Sequence, residues 1–273
     1  STNQSLGKGG STKDLRLDMA YVKWDFSPGG QILAGKFGNP LYRPQKSTLL
    51  WDGDWRPEGL AMMWKGDRFF ANVIANWLES DSKSDNRSML LGFQLGGSKN
   101  LGNVDINAAI GYFDFPTEGK RPFYENDFNG NTSADGQYSF DYKLIEFGAD
   151  IRFSMLNQPA SLYTNYVHNR ESVEGSDGWL LGFGFGKVKE AKSWSVKYQY
   201  RDLESDAVLG LLSDSDFGGG DTGVSGHILS GKVGVAKNWS LGFTWFIDNR
   251  LDVGDQGLTR QYDRIQIDTQ FKY

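Results

Sequence analysis

Residues 260–273 read Arg-Gln-Tyr-Asp-Arg-Ile-Gln-Ile-Asp-Thr-Gln-Phe-Lys-Tyr, and the character of the side chain changes at almost every step. Ile265, Ile267, Phe271 and Tyr273 share one parity, and Arg264, Gln266, Asp268, Gln270 and Lys272 share the other. Successive side chains of a β-strand face opposite sides, so this segment has one apolar and one charged face. Trp194, Val196, Tyr198 and Tyr200 likewise alternate with Ser195, Lys197, Gln199 and Arg201. Trp239, Leu241, Phe243 and Trp245 alternate with Ser240, Gly242 and Thr244. One such segment is weak evidence, since soluble sheets alternate too; about a dozen in series, many bounded by Trp or Tyr, is a strong constraint.

Composition removes several alternatives. No apolar run approaches the roughly 18–20 residues of a membrane helix. That excludes a helical membrane protein and leaves strands that hide their hydrophobicity by alternation. Among 273 residues, 35 are Gly, 7 are Pro and 14% are aromatic, which suits many strands joined by tight turns. There is no cysteine, so neither a disulfide framework nor a thiolate metal site is available. A net charge of −5 argues against a nucleic-acid partner.

The alternation predicts strands at about 14–26, 31–38, 58–65, 68–79, 87–96, 103–115, 138–154, 160–169, 178–188, 193–203, 226–236, 238–249 and 260–273. Their connections alternate short with long. Ser27-Pro28-Gly29-Gly30, Lys65-Gly66-Asp67 and Lys237-Asn238 are hairpin chemistry, whereas 39–57, 116–137 and 204–225 are long. Such end-to-end asymmetry, with apolar faces girdled by aromatics, fits a transmembrane antiparallel up-and-down β-barrel: an all-β fold with lipid outside and a polar interior. Thirteen visible strands is odd for a single-chain barrel, so the complete barrel is expected to hold 14–16. Residues 1–273 then read as a single outer-membrane barrel domain missing an N-terminal portion.

Two stretches add a family. Ala34-Gly35-Lys36-Phe37-Gly38-Asn39-Pro40-Leu41-Tyr42 is followed by Leu49-Leu50-Trp51-Asp52-Gly53-Asp54-Trp55-Arg56-Pro57-Glu58-Gly59-Leu60-Ala61. This pair resembles the "Putative porin" family of Gram-negative proteobacteria, which has a strand ending in a Gly-Lys-x-x-Asn-Pro-type turn and then Trp-Asp-Gly-Asp and Pro-Glu-Gly. The resemblance implies passive transport across the outer membrane. It also implies that lipid, lipopolysaccharide, the barrel-insertion machinery and small hydrophilic solutes are the partners, and it is compatible with a homo-oligomer. Family members are usually longer at the N-terminus, which supports the expectation of missing strands.

The polar parity supplies the candidate pore-lining residues: Arg16, Asp18, Lys36, Asp105, Glu146, Asp150, Arg152, Lys197, Arg201, Lys232, Asp248, Arg264 and Asp268, with Lys272 beyond them. A wall of both signs favours hydrated polar solutes, and about fourteen or more strands leave an aqueous channel. The competing reading is that these charges pair and fill a narrow interior. Trp51, Asp52, Asp54, Arg56 and Glu58 mark a candidate constriction loop, because the aromatics of segment 39–57 need burial and Pro40, Pro44 and Pro57 stiffen it. A surface loop is the bland alternative.

Other signals are weak. Asp214, Asp216 and Asp221 among glycines lack the twelve-residue calcium pattern. Gly182, Gly184 and Gly186 open no helix and are not a phosphate loop. His168 and His227 have no serine elbow or acid–base dyad nearby in sequence, so no catalysis, metal or cofactor is expected. The reading is a porin passing small hydrophilic solutes or ions. The alternative is a non-conducting structural or interaction barrel whose external loops bind a partner.

Overall fold

A computed structural model describes residues 17–80, 85–125, 127–253 and 258–272. Thirteen strands form one antiparallel meander in which each strand pairs with its neighbours in sequence. They are β1 (Ala20–Ser27), β2 (Gly30–Lys36), β3 (Glu58–Lys65), β4 (Phe69–Glu79), β5 (Ser88–Asn100), β6 (Val104–Phe115), β9 (Tyr142–Met155), β10 (Gln158–Asn169), β11 (Asp177–Gly186), β12 (Trp194–Leu203), β13 (Val224–Ala236), β14 (Trp239–Val253) and β15 (Leu258–Phe271). The two-residue strands β7 (Ser133–Ala134) and β8 (Gln137–Tyr138) pair separately, inside the 116–141 connection. Among the described residues β1 and β15 are both edge strands. An odd number of antiparallel strands makes those two edges run in the same direction.

Register carries the alternation around the sheet. Ile32 of β2 lies opposite Met62, Met62 opposite Val73, Val73 opposite Phe93 and Phe93 opposite Tyr112. The last four of these side chains are exposed, and they mark the outward face. Leu181, Phe243, Trp245, Ile265 and Ile267 are exposed on the same face, and Phe183 is half-buried there. The opposite parity carries Leu33, Ala61, Ile74, Asn72 and Gln94, all buried.

What buries the inward parity is loop. The turns 28–29, 66–68, 101–103, 156–157, 187–193 and 237–238 occupy one end, and the long connections 37–57, 170–176 and 204–223, with the described part of 116–141, occupy the other. From the long-loop end, segment 37–57 reaches β5, β9, β10 and β12: the Tyr42 N–H donates to Gln94 (2.8 Å), its hydroxyl to Asp150 (2.6 Å), the Ser47 hydroxyl to Asn165 (2.8 Å), and Lys197 to the Gln45 carbonyl (3.1 Å). One short segment can meet walls so far apart in sequence only because the sheet curls around it.

Candidate functional site: the loop-filled interior

The interior divides along the strand axis. Towards the long-loop end the inward wall is apolar: Leu78, Leu90, Phe113, Phe115, Leu144, Val167, Leu180, Leu203 and Val224 are all buried. The loops supply the other side of this core with Phe37, Leu49, Leu50, Trp51, Phe123, Tyr138, Ala207–Leu209 and Phe217. The Trp51 ring stacks on Trp55 at 4.4 Å and meets Phe113 edge-on at 5.1 Å.

Polar bonds join the loops at this end. Segment 37–57 meets 204–223 where the Asp52 N–H donates to Leu212 O (2.7 Å), the Ser215 N–H to the Asp52 carboxylate (3.2 Å) and the Ser213 hydroxyl to Leu49 O (3.1 Å). Burial raises the Asp52 carboxyl, but the N–H groups of Asp54 and Ser215 outweigh it and leave it below the ordinary 3.8. Segment 116–141 meets 204–223 at Asp206, whose carboxylate accepts from the Thr132 N–H (2.9 Å), the Thr132 hydroxyl (2.5 Å) and the Tyr142 hydroxyl (2.8 Å). Asn131 Nδ2 donates to Ser205 O (2.7 Å) and Val208 O (2.9 Å).

Wall charges hold these loops. The fully buried Arg201 donates to Thr48 Oγ1 (2.7 Å), faces Asp214 at 3.3 Å and lies over the Phe217 ring at 4.6 Å. Thr48 in turn donates to Asp214 (2.7 Å). Arg264 pairs with Asp216 at 2.9 Å. Asp214 and Asp216, two of the three acids that lacked the calcium pattern, therefore serve as counterions to wall arginines. Asp150, buried, accepts from Tyr42, from Asn107 (3.2 Å) and from Arg152 (2.7 Å). Burial and this carboxylate push the Tyr42 hydroxyl well above the phenol range, so it stays a donor. Glu146 is buried and accepts from Asn165 (2.9 Å).

Four wall residues of the predicted lining, Lys197, Lys232, Asp268 and Asp105, stand nearer the short-turn end. Lys197 bridges the Gln45 carbonyl and the Tyr163 ring (4.8 Å). That ring lies over Gly182, where a Cβ would sit 2.0 Å from it, and its hydroxyl donates to Gln199 (3.1 Å). Lys232 donates to Gln270 (2.5 Å), and Asp268 lies two register steps from Lys232, across Gly242. Asp105 is exposed and accepts from Asn100 (2.6 Å).

The remaining predicted residues stand elsewhere. Lys36 shares the parity of Ile32 and lies opposite Glu58, so it faces outward; Leu33 and Ala61 hold the inward positions, and a residue three steps from Leu33 must point the other way. Glu58 is exposed on that same outward parity. Asp18 pairs with Arg56 at 3.4 Å, before β1. Trp51 and Asp52 lie in the loop core just described, and the Asp54 N–H donates to Asp52 (3.2 Å). Arg16, the Asp248 side chain and Tyr273 lie outside the described residues. The histidines are outward: His168 contacts Asp177 (3.1 Å) and His227 contacts the Tyr198 hydroxyl (2.8 Å). The sequence reading missed Thr48, Thr132 and Asp206 as loop-pinning residues, and Arg43, whose guanidinium donates to the Trp51 and Asp52 carbonyls (3.1 and 3.2 Å). It had no signal for them, because their side-chain partners are 64 to 166 positions away or on a neighbouring turn of the same loop.

An antiparallel meander with short turns at one end, long loops at the other, an apolar outer face and a loop folded into the interior has the architecture of an outer-membrane barrel. The family model described as Putative porin matches residues 1–151 and 137–273, and the chain belongs to that family. The solved structure of OmpTdeltaL8, a loop L8 deletion mutant of the outer-membrane protein OmpT of Vibrio cholerae, is similar over 94% of this chain and 80% of its own, with a TM-score of 0.53 and 12% identity. That likeness is one of fold. Comparison with curated proteins finds no match.

Proposed function

We propose that the chain forms a non-enzymatic diffusion channel in the outer membrane of a Gram-negative bacterium, passing small hydrophilic solutes or ions down their gradients. The carrying observation is the contrast across one wall: Leu241, Phe243 and Trp245 face outward, while Lys197, Lys232 and Asp268 stand on the inward parity beside a cavity of about 550 Å³. Charged side chains at that depth are tolerated where they face water or each other, not lipid. Lipid and lipopolysaccharide cover the outer face in this reading, the barrel-insertion machinery assembles the chain, and segment 37–57 sets the width of the passage.

A second reading has its own support. The apolar core formed by three inward loops favours a closed barrel that acts through its loops. Liposome swelling separates the two. A channel makes vesicles swell in arabinose faster than in a trisaccharide, whereas a closed barrel leaves them as slow as protein-free vesicles in both.

A further inference from the structure

We infer that the solute route is eccentric, running along the β12–β15 wall instead of the axis, with Lys197 and Lys232 as its charge filter for small hydrated anions. This rests on the channel reading and deepens it. Segment 37–57 is bonded to β5, β9, β10 and β12. The 550 Å³ cavity is lined by residues of β12, β13, β14 and β15 alone, with no loop residue among them. It is therefore interior space that the described loops leave unfilled.

Register explains why this wall is roomy. Two inward rows cross the four strands. Lys197 lies opposite Ser230, Ser230 opposite Thr244 and Thr244 opposite Gln266. Ser195 lies opposite Lys232, Lys232 opposite Gly242 and Gly242 opposite Asp268. Between the two lysines and the β15 side chains, nothing larger than threonine occupies these rows. A Cβ at Gly242 would come no closer than 3.6 Å to a neighbour, so the wall is recessed there. Elsewhere the inward parity is filled: Gly182 is covered by Tyr163, and a Cβ at Gly148 would meet Pro44 at 2.8 Å.

Charge sets the preference. Lys197 and Lys232 line the cavity together with one acid, Asp268. Arg264, one turn of the pleat nearer the loops, is committed to Asp216, and Arg201 is fully buried against Asp214. The net charge lining this cavity is then positive, two lysines against one aspartate, and a fixed positive field in a narrow aqueous passage raises the local anion concentration.

The absence of cysteine gives a clean test on the full chain in planar bilayers. Thr244→Cys, on the recessed wall, and Ser98→Cys, on the inward parity of β5, are each treated with an anionic methanethiosulfonate reagent. The expected result is that modification at position 244 removes roughly half of the conductance or more, while modification at 98 leaves it near the starting value. The paired variant Lys197→Glu/Lys232→Glu should reverse the sign of the reversal potential in a potassium chloride gradient. Equal block from both cysteines, or an unchanged reversal potential, overturns the eccentric route while leaving a channel. A silent bilayer from correctly folded, heat-modifiable protein overturns the channel reading itself, and the route with it. Lys232→Gln serves as the milder substitution if the paired variant does not assemble, and should lower anion preference without reversing it.

Discussion

The two halves of the interior are built from the same strands and the same parity, yet they do opposite things. Towards the long loops, Leu90, Phe113, Leu144, Val167 and Leu180 make the wall a seat for loop side chains, and the wall charges there are buried against fixed partners, Arg201 against Asp214 and Glu146 against Asn165. Towards the short turns, Ser195, Lys197, Ser230, Lys232 and Asp268 make the wall polar, and a cavity remains beside them. The contrast teaches that a barrel interior is specified position by position along each strand. Inward parity alone decides neither openness nor polarity.

The strongest way to break the contrast is to remove its cause. Replacing residues 39–56 by a short Gly-Ser linker should raise conductance several-fold and strip the burial from Phe113 and Phe115, which lose Trp51 as their partner. Planar-bilayer recording reads the first effect and chymotrypsin sensitivity the second. Unchanged conductance would mean that segment 37–57 constricts nothing.

Charges should weigh differently in the two halves. Arg201→Ala empties a fully buried site and leaves the half-buried Asp214 without its cation, and is expected to cost about 3 kcal/mol. Lys232→Ala, beside open space, should cost about 0.5 kcal/mol or less. Denaturant titration followed by tryptophan fluorescence measures both, and equal costs would erase the distinction drawn here.

Much of this was legible beforehand, and the reason is physical. All thirteen sheet strands stand where the alternation puts them, to within a few residues at most ends, because an apolar outward face opposite a more polar inward one imposes period-two chemistry on each strand. The β7–β8 hairpin was not legible: two-residue strands are too short to show a period. The apolar seat was written in the sequence but is ambiguous there. Met89-Leu90-Leu91, Lys143-Leu144-Ile145 and Trp179-Leu180-Leu181 are apolar on both parities, which blurs the alternation where a loop is to be buried. Lys36 was misplaced because it ends its strand, where one inward neighbour, Leu33, is too little pattern to set the face. Contacts such as Thr48 with Asp214 depend on closure of the sheet and leave no local trace.

A milder perturbation sharpens the account of the closed half. Asp206→Ala leaves the Tyr142 hydroxyl and the Thr132 N–H without their acceptor and should cost about 1–3 kcal/mol, localised to segments 116–141 and 204–223. Hydrogen exchange of the amides of those segments, with the β12–β15 wall amides unchanged, is the expected signature.

The smallest effect is one of pH. Because Asp52 is held below 3.8, its stabilisation is complete above that value and is lost as pH falls through its lowered pKa. Loop docking should therefore weaken modestly below about pH 4, and Asp52→Asn should remove that dependence while leaving the neutral-pH conductance close to that of the parent. Tryptophan fluorescence of the Trp51–Trp55 pair against pH is the readout.

The central claim, that the polar half of the interior is a continuous aqueous passage, is tested most directly by single-channel recording of the intact chain in planar bilayers. The account predicts discrete, ohmic conductance steps that grow when residues 39–56 are removed. Silent bilayers from heat-modifiable protein, both intact and without that segment, would contradict it and leave a closed barrel that acts through its loops.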